Sequence, residues 1–212
     1  MMADLRGARA RVLACALVAA LGLSAGCGPA TPAWKGHPPA RPTHVGALEL
    51  PEVMAGSEAR PFAFRAKSGG ALLVYFGYVS CPDVCPTTMA DVRRALRALG
   101  PDAARVEVAF ATVDLNRDKP QVLLPFVRHF IANGHALVAE RDEQLAAAEV
   151  AFGATSSVTR SRKGDVDVSH TGDLYLVDPR GDVPVVWRFG TKPADIAEDL
   201  RLFLAMEAPH RP

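Results

Sequence analysis

Apolar positions recur with different periods along the chain, and each period predicts one kind of element. Residues 71–80 (ALLVYFGYVS) form an unbroken apolar and aromatic run, typical of a central strand buried on both faces. Apolar residues then recur at helical spacing up to Leu99, and Gly100 marks the end of this helix. Residues 106–114 predict a second buried strand. Next come a helix over 118–133 that Pro125 should kink or split, a short strand at 136–139 and a helix at 142–152.

The last third of the chain has a different rhythm. Residues 173–178 and 183–189 are strand-like, and the intervening Pro-Arg-Gly at 179–181 supplies the chemistry of a hairpin turn. A final helix begins at Pro193. The order β-α-β, further helix, then β-β-α predicts an α/β protein with a thioredoxin-like fold, in which helices flank a central mixed sheet. A generic α/β sandwich of another topology is the alternative.

The N-terminus has the pattern of an export signal. Three arginines within residues 6–11 precede the uncharged stretch 12–26, which has the length of a signal-peptide core and is short for a membrane-spanning helix. The stretch ends in Leu-Ser-Ala-Gly before Cys27, which resembles a bacterial lipobox, although Ser24 stands where an aliphatic residue is usual. We therefore expect a lipoprotein signal at 1–26 and lipidation of Cys27. An uncleaved anchor helix or an ordinary signal peptide would equally place the protein outside the cytoplasm, at a membrane.

Residues 28–44 contain five prolines and no apolar periodicity. Such a stretch behaves as a semi-rigid spacer of about 3.1 Å per residue, so it could span up to about 50 Å. We expect a Pro-rich membrane tether at 27–45, with no metal role for its His37 and His44, followed by the folded domain at 46–208.

Composition and cysteine usage narrow the chemistry. The chain has 212 residues, with 24 Lys plus Arg against 23 Asp plus Glu, so no basic excess points to nucleic acid. Of its four cysteines, Cys15 lies in the predicted signal and Cys27 at its end, which leaves one pair, Cys81 and Cys85, in the domain. A disulfide closing so small a loop would remove little unfolded-state entropy, so the pair calls for a chemical role.

The pair lies in the sequence CPDVCP, where the first predicted strand meets a helix. One helical turn brings residues i and i+4 to the same side, and a helix N-terminus favours the thiolate. Two thiolates suit Cu(I) and, less selectively, Zn(II). The Cα atoms would also lie about 6 Å apart, inside the disulfide range. Spacing alone therefore leaves both a copper clamp and a redox switch open.

Three segments together carry a family resemblance. Residues 75–88 (YFGYVSCPDVCPTT), 112–120 (TVDLNRDKP, with Leu115 where proline is usual) and 169–181 (SHTGDLYLVDPRG) resemble the Sco/SenC family of thioredoxin-like copper chaperones for cytochrome c oxidase. The resemblance covers residues 45–206, although the polar segment 155–168 fits it poorly.

The resemblance implies one copper, as Cu(I) or Cu(II), bound by Cys81, Cys85 and His170. It implies a metallochaperone and no enzyme, with an upstream copper donor and the oxidase subunit that carries the Cu-A centre as partners. The alternative function is a thiol–disulfide oxidoreductase with a redox-active Cys81–Cys85 pair, and a third is a redox-sensing thiol protein. Asp167 or Asp173 is expected to orient the His170 ring, and the other two domain histidines, His129 and His135, are expected on the surface.

Overall fold

The computed structural model describes residues 33–208, and the chain from Trp34 onward forms one compact unit. Its strands are β1 (Glu49–Glu52), β2 (Arg60–Ala63), β3 (Ala71–Gly77), β4 (Val106–Thr112), β5 (His135–Leu137), β6 (Ser156–Arg160), β7 (Val166–His170), β8 (Leu174–Val177) and β9 (Val185–Trp187). Its helices are α1 (Val84–Leu99), α2 (Pro120–Phe130), α3 (Asp142–Phe152) and α4 (Pro193–Met206), and a 3-10 turn covers Gly100–Arg105.

Seven strands form the central sheet in the order β2-β1-β5-β4-β3-β8-β9. The pairs β3–β4 and β4–β5 are parallel, whereas β1 and β8 pair antiparallel to β5 and β3. The predicted α/β fold with a mixed sheet is thus confirmed, including the antiparallel pairing of β8 with β9. Among the described residues, no helix is both long enough and apolar enough to span a bilayer. The predicted signal and Cys27 lie outside those residues.

Strand β3 is fully buried because both faces of the sheet are covered. On one face Tyr75 lies beside Phe110, and on the other Phe76 packs edge-on against Phe152 of α3. The strand ends at Gly77, three residues earlier than the apolar run suggested, because residues 78–81 turn toward α1. This turn places the two cysteines at the carboxyl end of β3.

One expectation about local structure is corrected, and one segment whose conformation the sequence left open is defined. Helix α2 continues unbroken through Pro125 and does not split, and it begins at Pro120. The polar segment that fitted the resemblance poorly is an ordered hairpin, in which β6 and β7 pair antiparallel as a separate two-stranded sheet.

Residues from Trp34 to His44, which fall within the expected spacer, pack on the domain. The backbone N–H groups of Lys35 and Gly36 each donate to the Asp199 carboxylate at 2.8 Å, and Trp187 Nε1 donates to it at 2.7 Å. His37 exchanges backbone hydrogen bonds with Val186 of β9. The segment thereby pairs with an exposed sheet edge and supplies donors to a carboxylate that is buried in α4.

Candidate metal centre

Cys81 and Cys85 lie at the start of α1, beyond the carboxyl end of β3. Helix α1 begins at Val84, so Cys85 lies in its first turn and Cys81 precedes it. The Cys85 N–H donates to Cys81 Sγ at 3.3 Å. The sulfur therefore accepts a hydrogen bond from one of the helix N–H groups that lack a partner within the helix.

The two thiols have different environments. Cys81 is partly exposed; burial alone would raise its pKa, but hydrogen bonds from the Cys85 and Asp83 backbone and from Tyr78 outweigh this and lower it. Cys85 is fully buried, and burial raises its pKa to about 12. The helix N-terminus thus favours the thiolate at Cys81, as expected from sequence, whereas burial overrides it at Cys85.

His170 is the last residue of β7, and although it lies 85 positions after Cys85 in the sequence, its side chain contacts that thiol. Its Nε2 lies 3.4 Å from Cys85 Sγ, and its Nδ1 lies 3.0 Å from the Thr171 carbonyl oxygen. The proton is therefore assigned to Nδ1, which leaves the Nε2 lone pair directed at the sulfur. The rings of Tyr75 and Tyr78 contact the imidazole edge-to-face, with centroids 6.0 and 5.7 Å away.

The three side chains meet the requirements of a metal site. The ligand atoms of Cys81, Cys85 and His170 all lie within 4.8 Å of one another, and no other such group of three occurs within residues 33–208. Ligands bound tetrahedrally at about 2.0–2.3 Å lie roughly 3.5–3.8 Å apart, so only small movements would be needed. The site opens into a cleft of about 270 Å³ that Tyr78, Pro82 and Val168 also line. Soft sulfur with one imidazole suits copper or zinc.

Neither aspartate expected to orient His170 does so. Its Nδ1 partner is a backbone carbonyl, and no carboxylate in the described part of the chain bonds to the ring. Asp167 pairs with Thr159 across the hairpin, and Asp173 lies in a different cleft, where burial raises its pKa. The Thr171 carbonyl, rather than a carboxylate, is the hydrogen-bond acceptor that orients the His170 ring.

Asp118 is a supporting residue to which sequence reasoning assigned no role. It is almost fully buried, and its carboxylate accepts hydrogen bonds from Thr112 Oγ1 at 2.6 Å and from the Val79 N–H at 2.9 Å. Burial raises its pKa, although these two bonds oppose the shift. Asp118 thereby fixes the loop two residues before Cys81. In the sequence, only the family resemblance of segment 112–120 drew attention to this region, and it did not indicate the contact between Asp118 and Val79.

The other four histidines within residues 33–208 lie away from this centre. His37 pairs with Val186 of β9, His44 pairs with Asp182 in the turn before β9, and His129 is exposed as expected. The surface prediction for His135 is wrong. It is largely buried between Glu52, 2.6 Å from its Nδ1, and Glu107, 3.4 Å from its Nε2. Burial alone would lower its pKa, but the hydrogen bonds to Glu107 and Glu52 outweigh burial and raise it.

Comparison with known proteins agrees with this geometry. A family model described as SCO1/SenC matches residues 55–205. A relative from Stutzerimonas stutzeri is 32 % identical over 125 residues, 58 % of this chain and 61 % of its own length. Protein SenC of Rhodobacter capsulatus is 31 % identical over 138 residues, 65 % of this chain and 62 % of SenC. The chain thus spans about three fifths of the length of these relatives.

One solved structure is similar over nearly its whole length. Bradyrhizobium japonicum ScoI with copper bound matches with a TM-score of 0.61 and 26 % identity, covering 79 % of this chain and 98 % of ScoI. The thioredoxin-like fold and the family resemblance predicted from sequence are both confirmed.

Proposed function

The chain belongs to the SCO1/SenC family, and we propose that it binds one copper ion per chain through Cys81, Cys85 and His170 and delivers it during cytochrome c oxidase assembly. The observation that carries this proposal is the convergence of two sulfurs and one imidazole nitrogen within 4.8 Å at an open cleft. The copper-bound ScoI structure supports copper as the metal. In this proposal the acceptor is the oxidase subunit with the Cu-A centre, and another protein supplies the copper.

The ligand set suits a cargo ion that changes oxidation state. Two soft sulfurs satisfy Cu(I), and the imidazole adds the harder nitrogen that Cu(II) prefers. Binding requires deprotonated thiols and therefore releases protons, the more difficult one coming from buried Cys85. The open cleft leaves Cys81 and the metal reachable by a partner protein, as transfer requires.

Copper titration of the purified, reduced protein tests the proposal. We expect one equivalent per chain and thiolate-to-Cu(II) absorption bands in the visible. Cys81→Ala or Cys85→Ala should abolish tight binding, because one thiolate does not chelate, whereas His129→Ala serves as the matched control for an exposed histidine. Retention of a full equivalent with an unchanged spectrum in either cysteine variant would exclude this site.

The role of His170 depends on the oxidation state. His170→Ala should strongly weaken Cu(II) binding and alter its spectrum, while the Cu(I) affinity changes much less. In cells, the variant should assemble little active oxidase at limiting copper and recover in part when copper is added. Full assembly at limiting copper would show that the thiols act without the metal site.

We also propose that the protein acts outside the cytoplasm, tethered to a membrane through lipidated Cys27 after removal of residues 1–26. The packed segment that begins at Trp34 shortens the proposed tether to the residues before it. Cys27→Ser should shift the protein from the membrane fraction to the soluble fraction or leave its signal uncleaved. Unchanged fractionation with normal cleavage would exclude lipidation.

A second candidate function is thiol–disulfide exchange with cysteines of the oxidase or another exported protein. The observation that favours it is the accessible, thiolate-favouring Cys81 next to buried Cys85. Exchange depends on thiolate fraction and access, so His170→Ala should leave its rate nearly unchanged. Oxidase assembly that survives loss of His170 but not loss of Cys81 would favour this function.

A further inference from the structure

The β6–β7 hairpin holds the histidine of the proposed site, but its strands pair only with each other within residues 33–208. One end of the hairpin follows Ala154, which is buried and donates its N–H to the Glu149 carbonyl at the end of α3. The other end continues through Gly172 into β8. The position of His170 therefore depends on how the base of the hairpin is fixed to the domain.

Two threonines close this base. Thr155 N–H donates to Thr171 Oγ1 at 3.0 Å, and Thr171 N–H donates to the Thr155 carbonyl at 2.9 Å. The two hydroxyl oxygens also lie 3.3 Å apart. The pair extends the strand ladder one step beyond Ser156–His170 and links Thr171 to the residue that follows anchored Ala154.

The same Thr171 accepts the His170 Nδ1 proton on its carbonyl at 3.0 Å. The Thr171 carbonyl thus holds the proton on Nδ1 and, together with the ring contacts of Tyr75 and Tyr78, directs Nε2 at Cys85 Sγ. Gly172 follows directly and has no side chain with which to anchor this peptide, and a methyl group at its Cα would meet only ordinary contacts. Hydrogen bonds to Thr155 restrain this peptide on its other side.

We propose that Thr171 is a positioning residue for the metal centre: its hydroxyl, hydrogen-bonded to the Thr155 backbone, holds the peptide that orients His170. This inference deepens the proposed function and rests on His170 as a ligand. Residues that orient a ligating histidine through its second nitrogen typically change metal affinity by about 10–100-fold when they are lost.

The test compares three single variants. Thr171→Val keeps the branched shape and the carbonyl but removes the hydroxyl, so the Cu(II) affinity should fall by about tenfold. The Cu(I) affinity should stay within about twofold, because two thiolates satisfy Cu(I). Thr171→Ser restores the hydroxyl and should recover the Cu(II) affinity. Thr155→Val is the matched control, since it keeps the backbone N–H that bonds Thr171 and should stay within about twofold of the parent protein.

A measurement on the reduced, metal-free protein separates this inference from copper binding itself. Nitrogen-15 NMR of the imidazole at pH 8 should show His170 protonated on Nδ1 in the parent protein and a mixture of tautomers in Thr171→Val. An unchanged tautomer together with an unchanged Cu(II) affinity in Thr171→Val would overturn the proposal, as would failure of Thr171→Ser to recover. If the parent protein binds no copper, the proposed function fails, and the tautomer measurement alone still decides the role of Thr171.

Discussion

Gly77 lies next to the Cys85 sulfur of the candidate metal centre, and Gly77→Ala tests how tightly this buried thiol is packed. A Cβ atom at residue 77 would lie 2.8 Å from Tyr75 Cε1 and 3.0 Å from both Cys85 Sγ and Phe110 Cζ. Favourable separations between carbon atoms are about 3.5–4.0 Å. Tyr75, Cys85 and Phe110 are all fully buried, so none of them can move into solvent. The added methyl group must therefore displace the sulfur, a ring or the strand.

The magnitude follows from the cost of overpacking a close-packed core, about 1–3 kcal/mol. With three rigid neighbours we expect about 2 kcal/mol. If the urea m-value is about 2 kcal/mol/M, the unfolding midpoint of the metal-free protein falls by about 1 M. The copper affinity should fall as well, because the Cys85 sulfur is displaced relative to its two partner ligands.

Gly172→Ala is the matched control, since it adds the same methyl group beside His170. Its Cβ would lie 3.4 Å from Phe189 Cβ and 3.5 Å from Val84 Cγ1, which are ordinary contacts. We expect its midpoint to stay unchanged or rise slightly, because alanine restricts the unfolded chain. A Gly77→Ala protein with an unchanged midpoint and unchanged copper affinity would refute the tight packing of Cys85.

Three further predictions concern other parts of the domain. Asp199→Ala removes the acceptor of three N–H groups, so the free energy of unfolding should fall by about 3 kcal/mol. Tryptic cleavage after Lys35 should become faster in this variant. Unchanged slow cleavage would show that other contacts hold the N-terminal segment. The raised pKa of His135 means that its interaction with the two flanking glutamates stabilises the fold fully below about pH 6.5 and is lost as pH rises through the folded pKa. His135→Gln should therefore destabilise the protein in urea titrations more at pH 6 than at pH 9, and an equal loss at both would contradict the assignment. Iodoacetamide should alkylate Cys81 well before Cys85 in the folded, reduced protein, because Cys81 is accessible and has the lower pKa. Mass spectrometry of the peptides measures the two rates, and equal rates would contradict the difference in burial.

The sequence pattern was sufficient to predict a feature where that feature depends mainly on the residues of one segment. The apolar run of β3 predicted a strand covered on both faces, because a strand with one face in water would expose every second apolar residue. The spacing of Cys81 and Cys85 placed both sulfurs on one side of a helix start, since geometry within one turn depends on few bonds. The same spacing did not decide whether the cysteine pair binds a metal or undergoes redox chemistry. His170 entered through the family resemblance together with its position directly before a predicted buried strand, because a single histidine is otherwise most often an ordinary loop residue.

The sequence by itself therefore determined the α/β architecture, the cysteine pair and, with the resemblance, the three candidate ligands. Only the tertiary structure decided which groups support them: the Val79 N–H on Asp118, 39 positions away, and the two N–H groups near Trp34 that reach Asp199, more than 160 positions away. Burial also decided that Cys85 is the harder thiol to deprotonate, whereas hydrogen bonds to Glu107 and Glu52 raise the pKa of His135 despite its burial. The physical reason is the same in each case. A buried polar group needs a partner, and the fold, rather than the neighbouring residues in sequence, determines which partner lies within hydrogen-bonding distance.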